Sequence, residues 1–179
     1  ALEIVPFAGG DATKIALQAG AIDVTTGDWL FVSRQRAEGT PLTFVPYSSS
    51  IGAVMVRCDS GMASLADLKG KSIGVAGGPL DSPVYGAPPL LAEKLSSGEF
   101  DAALNYWHYN ARLETEGFCE LVTAQEAARA LGATGDISAV GYIFTDDWAA
   151  AQPDLARGFV AASRDAKALL KSSDEAWGR

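Results

Sequence analysis

Histidine is nearly absent from this chain of 179 residues, which has one, and cysteine and methionine occur twice each. A lone His108 with Cys58 and Cys119 cannot supply the paired-ligand spacing of a zinc site, and no cofactor is implied. The two cysteines permit one disulfide, but nothing in their spacing demands it, and two buried, unpaired thiols are the preferred reading. No run of about 18 apolar residues occurs, so no helix that spans a membrane is expected. Basic residues are outnumbered: 14 Lys and Arg face 22 Asp and Glu, for a formal charge of −8. With a pI near 4.6 and scattered cations, a nucleic-acid partner is not expected. The chain opens on Leu2-Glu3-Ile4-Val5-Pro6 with no basic stretch and apolar leader, so any export signal is expected to lie outside it. No internal repeat or low-complexity tract is present.

What the chain does have is 48% hydrophobic residues, enough to bury a core in one domain or two small ones. Residues 2–7 read as a strand. Gly9-Gly10-Asp11 makes a turn, Asp11 caps a helix to Ala19, and Gly20 closes it. A strand over 22–26 and a helix over 29–38 follow, the latter capped at Gly27-Asp28. This β-α-β-α order predicts a parallel sheet covered by helices. Strands over 42–47 and 51–57 are then joined through Ser48-Ser49-Ser50 with no helix between them, which breaks the alternation.

The chain is organised around Ser64–Ser82, SLADLKGKSIGVAGGPLDS. Leu65 and Leu68 lie on a one-turn helix ended by Gly70, and Ser72–Ala76 is a strand. Gly77-Gly78-Pro79 turns the backbone, and Asp81 or Ser82 could open a helix whose N–H groups face the sheet end. Gly77-Gly78 lacks the Walker lysine and the GxGxxG spacing, so nucleotide binding is not expected. Only six residues, Gly77 to Ser82, separate this strand from Pro83-Val84-Tyr85. A parallel crossover needs about a dozen. Either the pair is not parallel or a crossover helix is missing from the chain, and the second is expected. Farther on, Pro88-Pro89 starts a helix, 100–104 is a strand, and Asn105-Tyr106-Trp107-His108-Tyr109-Asn110 opens a helix to Glu116. A strand at 119–122, a helix at 124–131 and a strand at 137–144 follow. Thr145 caps Asp146-Asp147-Trp148. The last long helix, 154–170, places Leu155, Phe159, Ala162, Ala166 and Leu169 on one face, expected to pack on a sheet.

The segments LADLKGKSIGVAGG, PFAGGDATKIALQAGAIDV and GEFDAALNYWHYNARLETEG resemble periplasmic solute-binding proteins of ABC importers. The group is the one that takes sulfonates, nitrate, taurine and thiamine precursors (NMT1/THI5-like, SsuA-like). The resemblance implies a type II periplasmic binding protein fold, two α/β lobes joined by a hinge. Lobe I would be 1–55 and 138–179, lobe II 56–137, with the hinge at Val54 to Cys58. It also implies that a first strand and helix lie outside the chain before Ala1, and that the helix at Trp177-Gly178-Arg179 is cut short. Its function would be capture of a small organic or anionic solute and delivery to a membrane permease, by a periplasmic or lipid-anchored monomer.

Ligands of open α/β sheets bind beyond the carboxyl ends of strands. That rule selects Gly9, Gly10, Asp28, Trp29, Ser48, Ser49, Ser50, Gly77, Gly78, Asn105, Tyr106 and Trp107, and Tyr47 is a further candidate beside Asp28 and the tryptophans. Serine hydroxyls, Asn105 and helix-start N–H groups could hold a polar head, while Trp29 and Trp107 clamp an organic body. Each has a plainer reading: a serine turn, rim aromatics, and for Asp28 a helix cap. Facing solute, Asp28 would favour a cation or a hydrogen-bonding heterocycle over a free sulfonate. No catalytic constellation can be assembled. The resemblance keeps one enzymatic alternative, a thiamine-pyrimidine synthase with His108 as a reacting residue, although the cysteine-rich signature of that type is missing. A ligand-sensing domain is the third possibility.

Overall fold

In the computed structural model, which describes residues 2–76 and 84–177, most elements follow the local start and stop signals, but the first helix begins before Asp11 with no side-chain cap, and the strand expected over 22–26 lies at Thr25–Asp28. From the N-terminus come α1 (Gly10–Gln18), β1 (Thr25–Asp28), α2 (Trp29–Ala37) and β2 (Leu42–Ser48). Next are β3 (Gly52–Arg57), a 3-10 turn (Leu65–Leu68), β4 (Ile73–Ala76), β5 (Val84–Gly86), α3 (Pro88–Ser96), β6 (Ala102–Tyr106) and α4 (Trp107–Thr115). The chain continues through β7 (Phe118–Thr123), α5 (Ala124–Ala130), β8 (Val140–Thr145), α6 (Asp146–Ala151), α7 (Pro153–Ser172) and α8 (Asp174–Trp177). Gly39 and Gly117, both at φ 90°, close α2 and α4 in the left-handed conformation that favours glycine.

Two units emerge, one of Ala1–Tyr47 and Val140–Arg179, the other of Ser48–Ala139. The first holds a sheet of order β1-β8-β2 and the second a sheet of order β5-β4-β6-β3-β7. The division falls at Tyr47/Ser48, earlier than the expected 55/56. β3 is hydrogen-bonded along its length to β6 on one side and β7 on the other, so it belongs wholly to the second unit. Val54 to Arg57, where the hinge is expected, lie inside this paired strand.

Neither sheet is the expected all-parallel one. β8 runs antiparallel to β1, with Thr25 opposite Ile143 and Asp28 opposite Val140. β3 is antiparallel to both neighbours, whereas β4 is parallel to β5 and β6. β3 and β8 are the strands by which the chain enters each unit without a helical crossover, so nothing forces them into the common direction. The β4–β5 pair is parallel, with Gly74 opposite Val84 and Ala76 opposite Gly86, although only residues 77–83 connect them. Residues 77–83, where the crossover is expected, lie outside the described residues.

In the second unit Ala53, Met55, Leu91, Leu95, Phe100, Ala103, Leu113 and Phe118 form the core. In the first, Leu17 of α1, Val32 of α2, Leu42 of β2 and Ile143 of β8 pack together. Strand alternation then turns Tyr142, beside Ile143, to the opposite face, where its ring meets Phe159 of α7 at 4.7 Å. Helices α1 and α2 therefore cover one face of this sheet, and α7 lies on the other.

Two expectations fail in the first unit. Residues 2–7 form no strand, and Leu2 and Ile4 are 73% and 83% exposed, because no described strand offers them a ladder. On α7 the face of Leu155, Ala162, Ala166 and Leu169 is solvent-exposed, with both leucines at 57%. Phe159, Val160 and Ser163 turn toward the sheet instead. Apolar and small residues recur around much of α7, so its periodicity fits more than one packing face.

Candidate functional site

In the second unit the carboxyl edge is built from the turn before β3 and the junction of β6 with α4. The Ser50 amide donates to Ser48 Oγ at 3.1 Å, a local turn that leaves the Ser49 and Ser50 side chains exposed. The Trp107 amide donates to Ile51 O at 3.2 Å and so ties the start of α4 to this turn. α4 has no side-chain cap at Tyr106, and its positive dipole end opens beside the serines. Tyr106 and Trp107 are 43% and 53% exposed. The rings of Trp107, His108 and Tyr109 follow one another at centroid distances of 5.5 and 4.4 Å, and Tyr106 lies nearly parallel to His108. This is an aromatic row of edge-on and tilted rings at a helix N-terminus, suited to an organic body carrying a polar or anionic head.

Asn105 stands behind that row. It is 2% exposed; its Nδ2 donates to Pro88 O, its Oδ1 accepts from the Tyr106 amide, both at 2.9 Å, and the amide is thereby committed within the unit. Gly52 makes the approach possible. At its φ of 153° a Cβ would lie 2.0 Å from Asn105 O. The His108 ring lies against those of Tyr106, Trp107 and Tyr109. Gly77 and Gly78, with Asp81 and Ser82, lie outside the described residues.

In the first unit, Gly10 begins α1 without a side-chain cap. Asp28 is the N-cap of α2: its Oδ1 accepts the Phe31 amide at 2.8 Å, the structural reading of this residue. Its Oδ2 is 4.0 Å from Lys14 Nζ, which also lies 3.8 Å from Asp11 Oδ1 and over the Phe31 ring. Trp29 follows at the first turn of α2, 43% exposed. Tyr47 is apart from this group. It stacks on Tyr142 at 4.5 Å, on the sheet face that α7 covers, with the Lys167 ammonium 4.3 Å over its ring. Burial, then the neighbouring Tyr142, push its hydroxyl above the ordinary tyrosine range.

Several residues escaped the sequence reading. Gln125 donates from Nε2 to Ser49 O at 3.0 Å and to Ile137 O at 2.8 Å, and its Oε1 accepts the Ile137 amide. It holds the turn that enters the second unit against the segment that leaves it. Only tertiary contact reveals such a role. Cys58 and Cys119 form a disulfide, against the preferred reading of free thiols. Adjacent strands β3 and β7 bring them together, with the Cys58 amide bonded to Gly117 O and Cys119 opposite Val56. A cavity of about 300 Å³ between α3 and α4, lined by Pro89, Glu93, Ser96, Tyr109 and Arg112, includes none of the selected residues. Among the described residues no group of His, Cys, Asp or Glu could hold a metal, and no helix is long and apolar enough to cross a membrane.

Comparison with known proteins agrees with this architecture. The family described as NMT1/THI5 like matches residues 1–87. No curated protein matches the chain. The periplasmic aliphatic sulphonate binding protein SsuA of Escherichia coli superposes with a TM-score of 0.75 at 21% identity, over 94% of this chain and 63% of that one. The alkanesulfonate-binding SsuA of Xanthomonas axonopodis pv. citri, bound to MOPS, gives 0.68 at 21% identity, again over 94% and 63%. A histidine kinase sensor domain with similarity to periplasmic binding proteins gives 0.52 at 18% identity, over 84% of this chain and 72% of its own. The chain thus spans 63% of the length of the two sulfonate-binding proteins. Its residues 1–87 are NMT1/THI5-like, and the fold of its described residues is that of the type II periplasmic binding proteins.

Proposed function

We propose that the chain is the substrate-binding component of an ABC-type importer, capturing a small organic or anionic solute and passing it to a membrane permease. The observation that carries this is the aromatic row of exposed Tyr106, Trp107 and His108 with half-buried Tyr109 at the start of α4, which lacks a side-chain cap, beside the exposed Ser49 and Ser50 side chains. Aromatic faces take an organic body and helix-start amides an anionic head. Gly10, Asp28 and Trp29 are the corresponding ligand contacts of the first unit, and Tyr47 is a further one. The reading is capture without a chemical step, with the His108 ring set against those of Tyr106, Trp107 and Tyr109. The disulfide supports residence in an oxidising compartment such as the periplasm.

Calorimetric titration with methanesulfonate, taurine, nitrate and an aminopyrimidine tests the reading. One class binds saturably, and Trp107→Ala weakens it about threefold to tenfold, the worth of one aromatic contact. Absence of saturable binding by every class, or turnover of a bound solute that disappears in His108→Asn, overturns it. The similarity to a sensor domain favours a second reading, ligand sensing; pull-down of a permease rather than a kinase separates the two.

A further inference from the structure

A second cavity, of about 240 Å³, lies wholly within the first unit, between the end of β2, the start of β8 and the middle of α7. Its wall is apolar and aromatic, formed by Val45, Val160 and the stacked rings of Tyr47 and Tyr142. Its rim is polar. Tyr142 Oη and Ser163 Oγ share a hydrogen bond of 2.6 Å, and Arg164 and Lys167 stand one helical turn apart on α7.

Neither cation has an acidic partner within ion-pair distance among the described residues, in a chain whose net charge is −8. Lys167 instead donates to the Tyr47 carbonyl and lies over the Tyr47 ring. We propose that this groove binds a small organic anion, its sulfonate, carboxylate or phosphate head between Arg164 and Lys167 and its body against the Tyr47–Tyr142 stack. The inference rests on the solute-binding reading only in making Tyr47 a ligand contact.

Two features make the assignment specific. Two unpaired cations on one helix face repel each other, and an oxyanion seated between them removes that repulsion while gaining charge-assisted hydrogen bonds. Partial burial already holds the Lys167 ammonium below its usual range, so an incoming anion supplies the counter-charge the site lacks. A bare oxyanion would leave the aromatic wall unused, and an uncharged ring would leave the cations unpaired. The site therefore selects for both parts in one molecule.

The test is a titration of benzenesulfonate into the full chain, followed by NMR at Tyr47, Tyr142 and the Lys167 ε-methylene, with toluene and sulfate as the separated halves. Saturable shifts at these three residues are expected, with toluene and sulfate at least tenfold weaker. Arg164→Ala with Lys167→Met should weaken binding at least tenfold, while Lys167→Arg stays within about threefold. Methionine keeps the apolar stem of Lys167, and an unchanged unfolding midpoint confirms the fold. Shifts confined to other residues, unchanged affinity in the double variant, or capture of acidic peptides in preference to the small anion overturns the proposal. Trp107→Ala separates the two readings: it weakens capture at the aromatic row about threefold to tenfold and leaves the Tyr47 shifts intact.

Discussion

Reducing the Cys58–Cys119 disulfide should cost the second unit a large part of its stability. The bond joins residues 61 apart in sequence, a span that encloses most of that unit. Opening it releases loop entropy in the unfolded chain of about 14 cal/mol/K, or about 4 kcal/mol at 25 °C, in the chain-entropy account. The native state loses little, because β3 and β7 stay paired by their own ladder from Ala53–Thr123 to Arg57–Phe118. At about 4–8 °C per kcal/mol for a unit of this size, the melting midpoint should fall by roughly 15–30 °C. The assay is urea and thermal unfolding of the wild type with and without reductant, beside Cys58→Ser with Cys119→Ser. Trp107 reports the second unit, once the other tryptophans are replaced by phenylalanine. Reduced wild type and double serine variant should agree. A shift below about 1 kcal/mol in both refutes the loop argument. Alkylation of either cysteine in the unreduced, folded protein refutes the bond itself.

Gly52→Ala should destabilise by about 2 kcal/mol or more, since its φ of 153° is strained for alanine and the added carbon would meet Asn105 O at 2.0 Å; an unchanged urea midpoint would show that the backbone yields there freely. Asn105→Ala leaves Pro88 O and the Tyr106 amide without their partner, at a cost of about 2 kcal/mol in denaturant unfolding; a loss of ligand affinity with stability intact would instead make Asn105 a direct contact. Stability should also fall in acid. Asp67 is held below the usual carboxylate range chiefly by the Ala63 amide, Asp101 by the Ser72 amide and Glu126 by the Thr123 amide. Their contribution is complete above the unfolded value of about 4 and is lost as pH drops through the depressed folded values. The urea midpoint of the second unit should hold from about pH 7 to 5 and decline below about pH 4; a midpoint flat down to about pH 3 excludes them.

The sequence by itself determined what neighbouring residues decide. Gly39 and Gly117 end helices because only glycine takes those left-handed turns cheaply. Thr145 and Asp28 start helices because a side-chain oxygen can reach an amide three residues on. The local motifs also sufficed for the resemblance on which the fold assignment began. Tertiary structure alone decided which strand lies beside which, and in which direction. The antiparallel β3 and β8, the unit boundary at Tyr47/Ser48 and the Cys58–Cys119 bond all follow from that pairing. Register between distant strands depends on partners that no local pattern identifies. The site divides in the same way. Trp107 and the serines are legible as strand-end residues, whereas the commitment of Asn105 to Pro88 O depends on contacts made only on folding. The same holds for the Gln125 bridge and for the meeting of Tyr47 with Lys167, whose positions are 120 apart in the chain.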